Sequence, residues 1–371
     1  MIRLLHVITD QNIGGAGHQL LSLLRGLDRG EFDISVVLPT GARLRAALEE
    51  SDILCTELPH LAEQSFSVKA ISALLGHMKK FKPHIVHTHA SLSARIAARV
   101  YGKTKIVHTR HSVFQPSALQ KRLRFFLGLI NNGLSDKIIA VSPAAKDNLV
   151  TLGTHPDKIH VIMNGAPPIR GYGADEILKL KEKYQISADS FILAQAARLT
   201  EVKGHDYVLD AVKNLPIIVL IAGDGERHAH LQSRIKSEGI KNVRLLGFIS
   251  DIDEIFAVAD AQISASFGTE ATSIALIKGM SIGKPAVVTD FGGNPYVIKD
   301  GENGLVVPVK NAEALGKAVS RLTDKTLYAR LSEGALKIYR ETFTETKMIS
   351  ETVRLYRGFG MGSGGTWKKE E

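Results

Sequence analysis

The sequence predicts an α/β protein with two domains, each built on an open parallel sheet. Short β-branched runs alternate with longer amphipathic runs along the chain, a rhythm typical of parallel strands joined by crossover helices. At 371 residues with 44% hydrophobic content, the chain is too long for one ordinary core and fits two domains of roughly 150 residues each. We therefore expect two hydrophobic cores and a cleft.

Seven strands are predicted in the first half, with helices between them. They are RLLHVI (3–8), DISVVL (33–38), DILCTE (52–57), HIVHTH (84–89), KIVHTR (105–110), DKIIAV (136–141) and KIHVIM (158–163). The N-terminal MIRLLHVITDQNIGG has an apolar run too short to span a membrane, and no cleavage pattern follows it. We interpret it as the first strand rather than as a targeting segment.

Six more strands are predicted in the second half and form a second open sheet. They are FILAQAA (191–197), IIVLIAG (217–223), VRLLGF (243–248), AQISAS (261–266), PAVVTD (285–290) and GLVVPV (304–309). The Pro- and Gly-rich stretch 164–176 disfavours both helix and strand and suits a hinge. The predicted domains are 1–168 and 174–344.

After about residue 310 the pattern is helical. The run 344–359 is long enough to return to the first domain, so we expect the C-terminal segment 345–371 to do so. Its tail, GMGSGGTWKKEE, has the composition of a disordered segment.

Cysteine content and charge limit the environment of the protein. Cys55 is the sole cysteine, so no internal disulfide forms, and we expect a reducing, cytoplasmic location. The net charge of +9 lies in residues 1–170, with 21 Lys and Arg against 12 Asp and Glu, whereas the remainder is balanced at 26 and 26. Residues 51–130 hold 12 basic and 3 acidic side chains. We expect the surface formed by these residues to attract anions such as lipid headgroups; the alternative is an ordinary solvated surface.

A glycine loop follows the first strand. Gly14, Gly15 and Gly17 would let the backbone approach an anion at the start of the next helix, although a tight turn without a ligand is an alternative. The spacing is not GxGxxG, and the second strand ends in VVLPTGA without the acid that a dinucleotide fingerprint requires. A nicotinamide-dependent dehydrogenase is therefore disfavoured.

Two cations follow the first strand of the second domain. Arg198 and Lys203, in AARLTEVKGHDYVLDAV, lie near the carboxyl end of a parallel strand, where ligands bind in open α/β sheets. Such a pair suits a pyrophosphate, whose departure from a sugar builds charge on its oxygens. Arg198 taken alone could equally be an ordinary surface residue.

The order of motifs resembles the family 4 nucleotide-sugar glycosyltransferases over about residues 1–345. After the glycine loop come HTRHS, VIMNGA, ARLTEVKG, IAGDGER, GTEATSIALIKGMSIGKPAVV and GGNPYVIKDGENGLVV. The resemblance implies a GT-B fold, in which two Rossmann-like domains face each other across a cleft. It also implies that the donor nucleotide lies on the C-terminal domain and that the acceptor enters over the N-terminal one.

The resemblance assigns roles to individual residues. His111 and Glu270 would contact the donor sugar at the reacting centre. The donor-binding set would be Gly15 and Gly17 near the phosphates, Arg198 and Lys203 on the pyrophosphate, Gly247 and Phe248 near the base, backbone amides at Thr272 and Ser273, and Lys278. No metal and no cofactor are expected, because the cations and a helix N-terminus take the role of a divalent ion. No Asp-x-Asp stands in a position to hold one.

The histidines need individual treatment, since eleven of the fourteen precede residue 165. His111 could be a core histidine, although the surrounding motif favours a ligand contact. His87 and His89 alternate onto one strand face and could suggest a metal pair, but no third ligand follows at suitable spacing. We expect these two to line the acceptor cleft.

Lys278 departs from the pattern that the resemblance implies. The family usually has two glutamates eight positions apart; Glu270 matches the first, and Lys278 replaces the second, which commonly accepts hydrogen bonds from the ribose. An ammonium cannot accept a hydrogen bond. Lys278 could weaken donor binding, reach the pyrophosphate instead, or leave the enzyme impaired, and we expect Lys278→Glu to tighten donor binding. Tyr296, where GG-x-P is often followed by Glu, is a milder departure.

The segment QPSALQKRLRFFLGLINN (115–132) joins basic and bulky apolar residues, which suits either a membrane interface or a core helix with a solvated face. The predicted function is metal-independent, retaining transfer of a sugar from a nucleoside diphosphate sugar, with UDP favoured, to a glycan or lipid-linked acceptor. The protein would be cytoplasmic and could bind the inner face of an anionic membrane. The alternatives are a nucleotide-sugar-binding protein with impaired transfer and a nucleotide-sugar epimerase. Nucleic acid is not an expected partner, because interleaved aromatics and a recognised module are missing.

Overall fold

The chain packs into two compact units in the computed structural model, which describes residues 1–62, 66–187 and 189–360. The first unit contains residues 1–112 and 116–165 together with the C-terminal segment from Glu345. The second contains residues 113–115 and 166–344. Most of the tail that the sequence predicts to be disordered, from residue 361 on, lies outside the described residues.

The first unit is built on a seven-stranded parallel sheet. Its strands are β1 (Ile2–Ile8), β2 (Phe32–Pro39), β3 (Leu54–Leu58), β4 (Ile85–His89), β5 (Lys105–Arg110), β6 (Lys137–Ala140) and β7 (Ile159–Val161). The spatial order is β3-β2-β1-β4-β5-β6-β7. The order reverses between β1 and β4, and the carboxyl ends of strands beside such a switch point are where open α/β sheets bind ligands.

Helices cover both faces of this sheet. They are α1 (Gly15–Arg25), α2 (Leu44–Glu49), α3 (Val68–Phe81), α4 (Leu92–Tyr101), α5 (Ala118–Arg122), α6 (Arg124–Leu134) and α7 (Pro143–Thr151), with a 3₁₀ turn at Pro156–Lys158. Because successive strand residues point to opposite faces, Leu4 and Ile8 of β1 pack in one core and Leu5 and Val7 in the other.

The second unit repeats this plan with six parallel strands. They are β8 (Ile192–Ala196), β9 (Ile218–Ala222), β10 (Val243–Gly247), β11 (Ala261–Ser264), β12 (Ala286–Thr289) and β13 (Gly304–Val307), in the order β10-β9-β8-β11-β12-β13. Its switch point lies between β8 and β11. The loops that follow these two strands carry Arg198, Lys203 and Glu270, so the fold itself brings the three residues to one edge.

The helices of the second unit again cover both faces of the sheet. They are α8 (Ala174–Lys183), α9 (His205–Val212), α10 (His228–Ser237), α11 (Asp253–Val258), α12 (Ile274–Met280), α13 (Asn294–Val297), α14 (Ala312–Arg321) and α15 (Lys325–Ile338). A 3₁₀ turn at Glu201–Lys203 precedes α9, and a π-helical turn at Tyr339–Phe343 follows α15.

The last helix, α16 (Glu345–Arg357), belongs to the first unit. Its Met348, Leu355 and Tyr356 are buried in the same core as α1 and α2. The hydroxyl of Tyr356 lies 2.5 Å from Nδ1 of His87 on β4. This helix therefore closes one face of the first sheet.

The predicted α/β class and all thirteen predicted strands are confirmed within the described residues, with each strand end placed to within two residues. Local patterns suffice here because a parallel strand buried on both faces is a short continuous apolar run. In the same described ranges, no helix is both long and apolar enough to cross a membrane.

Candidate functional site

The best-defined group in the second unit is an ion pair at the switch point. The ammonium of Lys203 lies 2.6 Å from Oε2 of Glu270 and 3.3 Å from the carbonyl oxygen of Thr269. Ser266 donates a hydrogen bond of 3.2 Å to the same carboxylate oxygen. The side chains of Lys203 and Glu270 are only 16% and 10% exposed, so water screens the pair weakly. An ammonium has three donors, and these contacts occupy two of them.

Arg198 differs from Lys203 in that its charged side chain is not paired within the described part of the chain. Its side chain is exposed and makes no hydrogen bond or ion pair to the residues that the structure describes. The carbonyl oxygen of Leu199, the next residue, accepts from the amide of Arg227, which ties this loop to the start of α10. Arg198 therefore offers an uncommitted guanidinium at the edge where Lys203 is already paired.

Two glycines after β12 hold the Glu270 loop in place, a role that the sequence stretch GGNPYVIKDGENGLVV did not reveal. The amide of Gly293 donates a 3.0 Å hydrogen bond to the carbonyl oxygen of Glu270. A Cβ on Gly293 would lie 1.5 Å from the carbonyl oxygen of Ala271, and one on Gly292, whose φ is +57°, would lie 2.1 Å from that of Glu270. Only glycine lets the two backbones approach so closely.

The predicted phosphate-binding amides begin α12. Ser273 is the N-cap, and its hydroxyl accepts from the amide of Leu276, while Thr272 is buried beside it. The first turn of a helix leaves amides unpaired within the helix and carries partial positive charge. The sequence-predicted role of these two residues toward a phosphate stays a prediction.

Lys278 lies on α12 and forms an ion pair with Asp253 at the start of α11. The two side chains are 18% and 19% exposed. This pairing was not expected from the sequence. A carboxylate 25 residues away in the chain already neutralises the lysine. No pattern signals this pairing, because it depends on how α11 packs against α12.

Gly247 is the last residue of β10, and Phe248 follows it. Gly247 has a φ of +68°, and no heavy atom lies within 4 Å of where a Cβ would stand. Phe248 is 65% exposed. An open left-handed glycine beside an exposed aromatic ring offers a flat surface on which a base could stack, consistent with the role that the resemblance implies.

In the first unit, the predicted glycine loop lies at the carboxyl end of β1. A Cβ at Gly14 or Gly15 would meet no heavy atom within 4 Å, whereas one at Gly17 would lie 3.6 Å from the side chain of Ile13. Gly14 caps α1 without a side-chain hydrogen bond. The space beside Gly14 and Gly15 is therefore open to a ligand, while Gly17 packs against its own loop.

His111 lies just beyond β5 and is partly exposed. Its Nε2 is 2.8 Å from Nδ1 of His89. Burial lowers the pKa of His111 to about 4, with a smaller contribution from the charge of Arg110. The imidazole is therefore neutral near pH 7 and can both donate and accept a hydrogen bond.

The expectation that His87 and His89 line an open cleft is wrong. Both are buried, and both ring nitrogens of His87 are hydrogen-bonded, one to Tyr356 and the other to Thr109. The third histidine that the spacing did not supply is His6 from β1, which places donor atoms of the three within 4.8 Å of one another. Parallel pairing of β1 with β4 brings His6 there, and pairing of strands this far apart in the chain is not visible in local spacing.

Helices α5 and α6 present an exposed apolar surface. Its large side chains are Leu119, Leu123, Phe125, Phe126, Leu129 and Ile130. Phe125 and Phe126 are 68% and 62% exposed, and only Gly128 of α6 is buried. Lys121, Arg122 and Arg124 lie on the same two helices and are exposed. The alternative of a core helix with one solvated face therefore does not describe α6.

Two family models match the chain, one on each unit. The model for Glycosyltransferase Family 4 matches residues 13–170, and the model for Glycosyl transferases group 1 matches residues 176–338. With two parallel sheets of seven and six strands, these matches define a glycosyltransferase of GT-B fold. The chain belongs to the family 4 glycosyltransferases, as the order of its motifs predicts.

Two curated relatives that match most of the chain are named as a transferase and as a synthase. The UDP-Gal:alpha-D-GlcNAc-diphosphoundecaprenol alpha-1,3-galactosyltransferase of Escherichia coli is 26% identical over 94% of this chain and 97% of its own. The N-acetyl-alpha-D-glucosaminyl L-malate synthase of Bacillus anthracis is 26% identical over 73% of this chain and 74% of its own.

Solved structures share the fold. Anabaena HepE in complex with UDP-glucose superposes with a TM-score of 0.85 at 19% identity, covering 96% of this chain and all of that one. A glycosyltransferase from Rickettsia africae gives a TM-score of 0.83 at 22% identity, with 96% and 98% coverage.

Proposed function

We propose that the protein transfers a sugar from a UDP-sugar to a glycan or lipid-linked acceptor, with retention of the anomeric configuration and without a divalent cation. The name of the Escherichia coli relative supports both the UDP-sugar and the lipid-linked acceptor. The Anabaena complexes with UDP and UDP-glucose support the nucleotide.

The observation that carries the proposal is the arrangement after β8 and β11. An uncommitted guanidinium at Arg198 lies on the same sheet edge as the Lys203–Glu270 pair, whose ammonium keeps one donor in reserve. A diphosphate bound there would meet two cations and the start of α12. These groups would stabilise the charge that develops on the departing diphosphate.

Glu270 then has two duties in this proposal. Its carboxylate holds Lys203 in place, and its remaining lone pairs accept hydrogen bonds from sugar hydroxyls. As the family resemblance implies, His111 would donate a hydrogen bond to the donor sugar. The reaction we favour is a same-face displacement, in which the leaving phosphate accepts the proton of the attacking acceptor hydroxyl.

The test is a donor screen followed by turnover. Nucleoside diphosphate sugars are screened by thermal shift, because a ligand that binds only the folded state raises the melting temperature by mass action. UDP-sugars should stabilise more than GDP- or ADP-sugars, and release of UDP should persist in EDTA. Proton NMR of the first product should show the anomeric configuration of the donor. A requirement for Mn²⁺ or Mg²⁺, or an inverted product, would contradict the corresponding part of the proposal.

A second candidate, a nucleotide-sugar-binding protein with impaired transfer, rests on Lys278. The ammonium cannot accept the ribose hydrogen bonds that a glutamate there would, and it already forms an ion pair with Asp253. This candidate predicts UDP-sugar binding without UDP release, with or without an acceptor glycan. Measurable hydrolysis or transfer of the stabilising donor would exclude it.

We further propose that α5 and α6 bind the cytoplasmic face of an anionic membrane, which would bring a lipid-linked acceptor within reach. The support is the exposed apolar side chains with three basic residues on the same helices. Apolar residues that enter the headgroup region and cations that pair with anionic lipid are the two contributions that interfacial helices combine.

A further inference from the structure

Three imidazoles form a hydrogen-bonded chain that leads from the interior of the first unit to His111. His6 on β1 and His89 on β4 lie on one face of the sheet, and His111 follows β5 on that same face. Nδ1 of His6 is 3.1 Å from Nε2 of His89, and Nδ1 of His89 is 2.8 Å from Nε2 of His111. His6 and His89 are fully buried, whereas His111 is partly exposed. The exposed imidazole is thus held by two that no ligand can reach.

All three imidazoles are neutral at pH 7. Burial lowers the pKa of His6 to about 3 and that of His111 to about 4, and it holds the pKa of His89 well below its ordinary value. A neutral imidazole has one nitrogen that donates and one that accepts. Each hydrogen bond in the chain therefore fixes the next, and the three tautomers switch together or not at all.

The inner end of the chain selects one of the two states. Nε2 of His6 is buried and has no hydrogen-bond partner among the described residues. Buried N–H groups without a partner are rarer than buried acceptors without one, so this nitrogen should carry the lone pair. Nδ1–H of His6 then donates to His89, and Nδ1–H of His89 donates to Nε2 of His111.

We propose that His6 and His89 are positioning residues that hold His111 with its proton on Nδ1, so that an N–H donor faces the ligand. The proposal rests on the proposed function, in which His111 contacts the donor sugar. It specifies that His111 donates to a sugar oxygen and does not act as a base toward it.

A metal ion is the other use to which such a cluster could be put. The donor atoms of His6, His87 and His89 lie within 4.8 Å of one another. However, Tyr356 and Thr109 occupy both nitrogens of His87, at 2.5 and 2.6 Å. A divalent ion would also bring charge into a buried group made of histidines alone, which is costly without a compensating carboxylate. The hydrogen-bonded chain fits these contacts better.

The direct test is ¹⁵N NMR of the full-length protein labelled at histidine. Between pH 7 and 8, His6, His89 and His111 should each show a protonated Nδ1 and an unprotonated Nε2. A proton on Nε2 of His111, or a mixture of tautomers there, would overturn the proposal. So would stoichiometric zinc in the purified protein that is lost with His6→Gln. This readout needs no donor or acceptor, so it stands even if the proposed function fails.

The functional test is a double-mutant cycle. If His89 acts through His111, His89→Leu should lower kcat by about 3- to 10-fold, the value of one hydrogen bond, with little change in KM for the donor. The same substitution in a His111→Ala background should have no further effect. His87→Leu is the matched control, since His87 is equally buried on the same strand but lies outside the chain, and its effect should be additive with His111→Ala. Additivity for His89 would overturn the proposal, and His89→Gln repeats the cycle if the leucine variant does not fold.

Discussion

Lys278 and Asp253 form an ion pair, and a substitution of either residue alone should lower the stability of the protein. Both side chains are less than one fifth exposed, so removing one partner leaves a poorly solvated charge. Lys278→Glu, which the sequence alone suggests as a route to tighter donor binding, would in addition place two carboxylates against each other. The pairing with Asp253 therefore changes how that substitution must be tested.

The expected outcome is that Lys278→Glu by itself lowers the melting temperature, whereas Lys278→Glu combined with Asp253→Asn restores it. In the double variant the new carboxylate can accept ribose hydrogen bonds, so affinity for UDP in calorimetry should rise by about 10-fold. The single variant Asp253→Asn is the control for the loss of the pair. Equal or weaker UDP binding by the double variant would show that the native lysine contributes to the nucleotide site.

Substitutions at Lys203 and Arg198 should distinguish a structural role from a role in binding UDP. Lys203→Met strands the Glu270 carboxylate and should destabilise the second unit by about 3 kcal/mol, because the pair is mostly buried. Adding Glu270→Gln should recover stability but not UDP affinity. Arg198→Met, at an exposed side chain, should weaken UDP binding with an unchanged melting temperature. Urea unfolding and calorimetry give both quantities, and full recovery of affinity in the double variant would argue against a phosphate contact for Lys203.

At the scale of secondary structure, we predict that α5 and α6 bind anionic membranes. Full-length protein should cosediment with phosphatidylglycerol vesicles and less with vesicles of phosphatidylcholine alone. Phe125→Ser with Phe126→Ser should weaken this binding at least about 10-fold, because two exposed rings no longer enter the lipid. Leu178→Ser, at an exposed leucine on α8 of the second unit, is the matched control and should bind normally. Binding that ignores lipid charge, or that survives the double substitution, would refute the interface.

The strands and helices of both units could be predicted from the sequence, whereas the contacts between them could not. Alternation of short apolar runs with amphipathic runs is a local signal, and it places β4 at 84–89 against an observed Ile85–His89. The hydrogen bond between His6 and His89 spans 83 positions and exists because β1 pairs with β4, which local patterns do not specify.

The same limit applies to the candidate site. Lys203, Glu270 and Lys278 could be selected by motif, but the ion pairs could not be predicted, because the two members of each pair lie on different loops or helices. The sequence also did not predict that residues 113–115 belong to the second unit, because this assignment depends on the bridge between Phe114 and Thr269.

At the scale of the whole molecule, buried neutral histidines make stability depend on pH. Among the described residues, four lie in the first unit (His6, His87, His89 and His108) and one, His205, in the second. Burial lowers the pKa of each, to about 3 for His6 and about 4 for His205. In the unfolded chain each has a pKa near 6.5.

The sign of the effect follows from proton uptake. Well above pH 6.5 neither state binds these protons, and the stability is fully present. As the pH falls below 6.5 the unfolded chain takes up protons that the folded chain refuses, so the free energy of unfolding decreases by up to about 1.4 kcal/mol per histidine per pH unit. Because Asp and Glu titrate mainly below about pH 5, the histidines control the window from pH 7 to 5.

The first unit should therefore lose stability in acid faster than the second. Native-state hydrogen exchange, corrected for intrinsic rates, should show the opening free energy of β4 and β5 amides falling more steeply between pH 7 and 5 than that of β8 and β9 amides. His108→Gln is the control variant, because glutamine can keep a hydrogen bond to Thr88 but takes up no proton, so the slope for β4 and β5 should decrease by about one proton. Equal slopes in the two units, or no change in His108→Gln, would mean that the first unit tolerates charged imidazoles in its core.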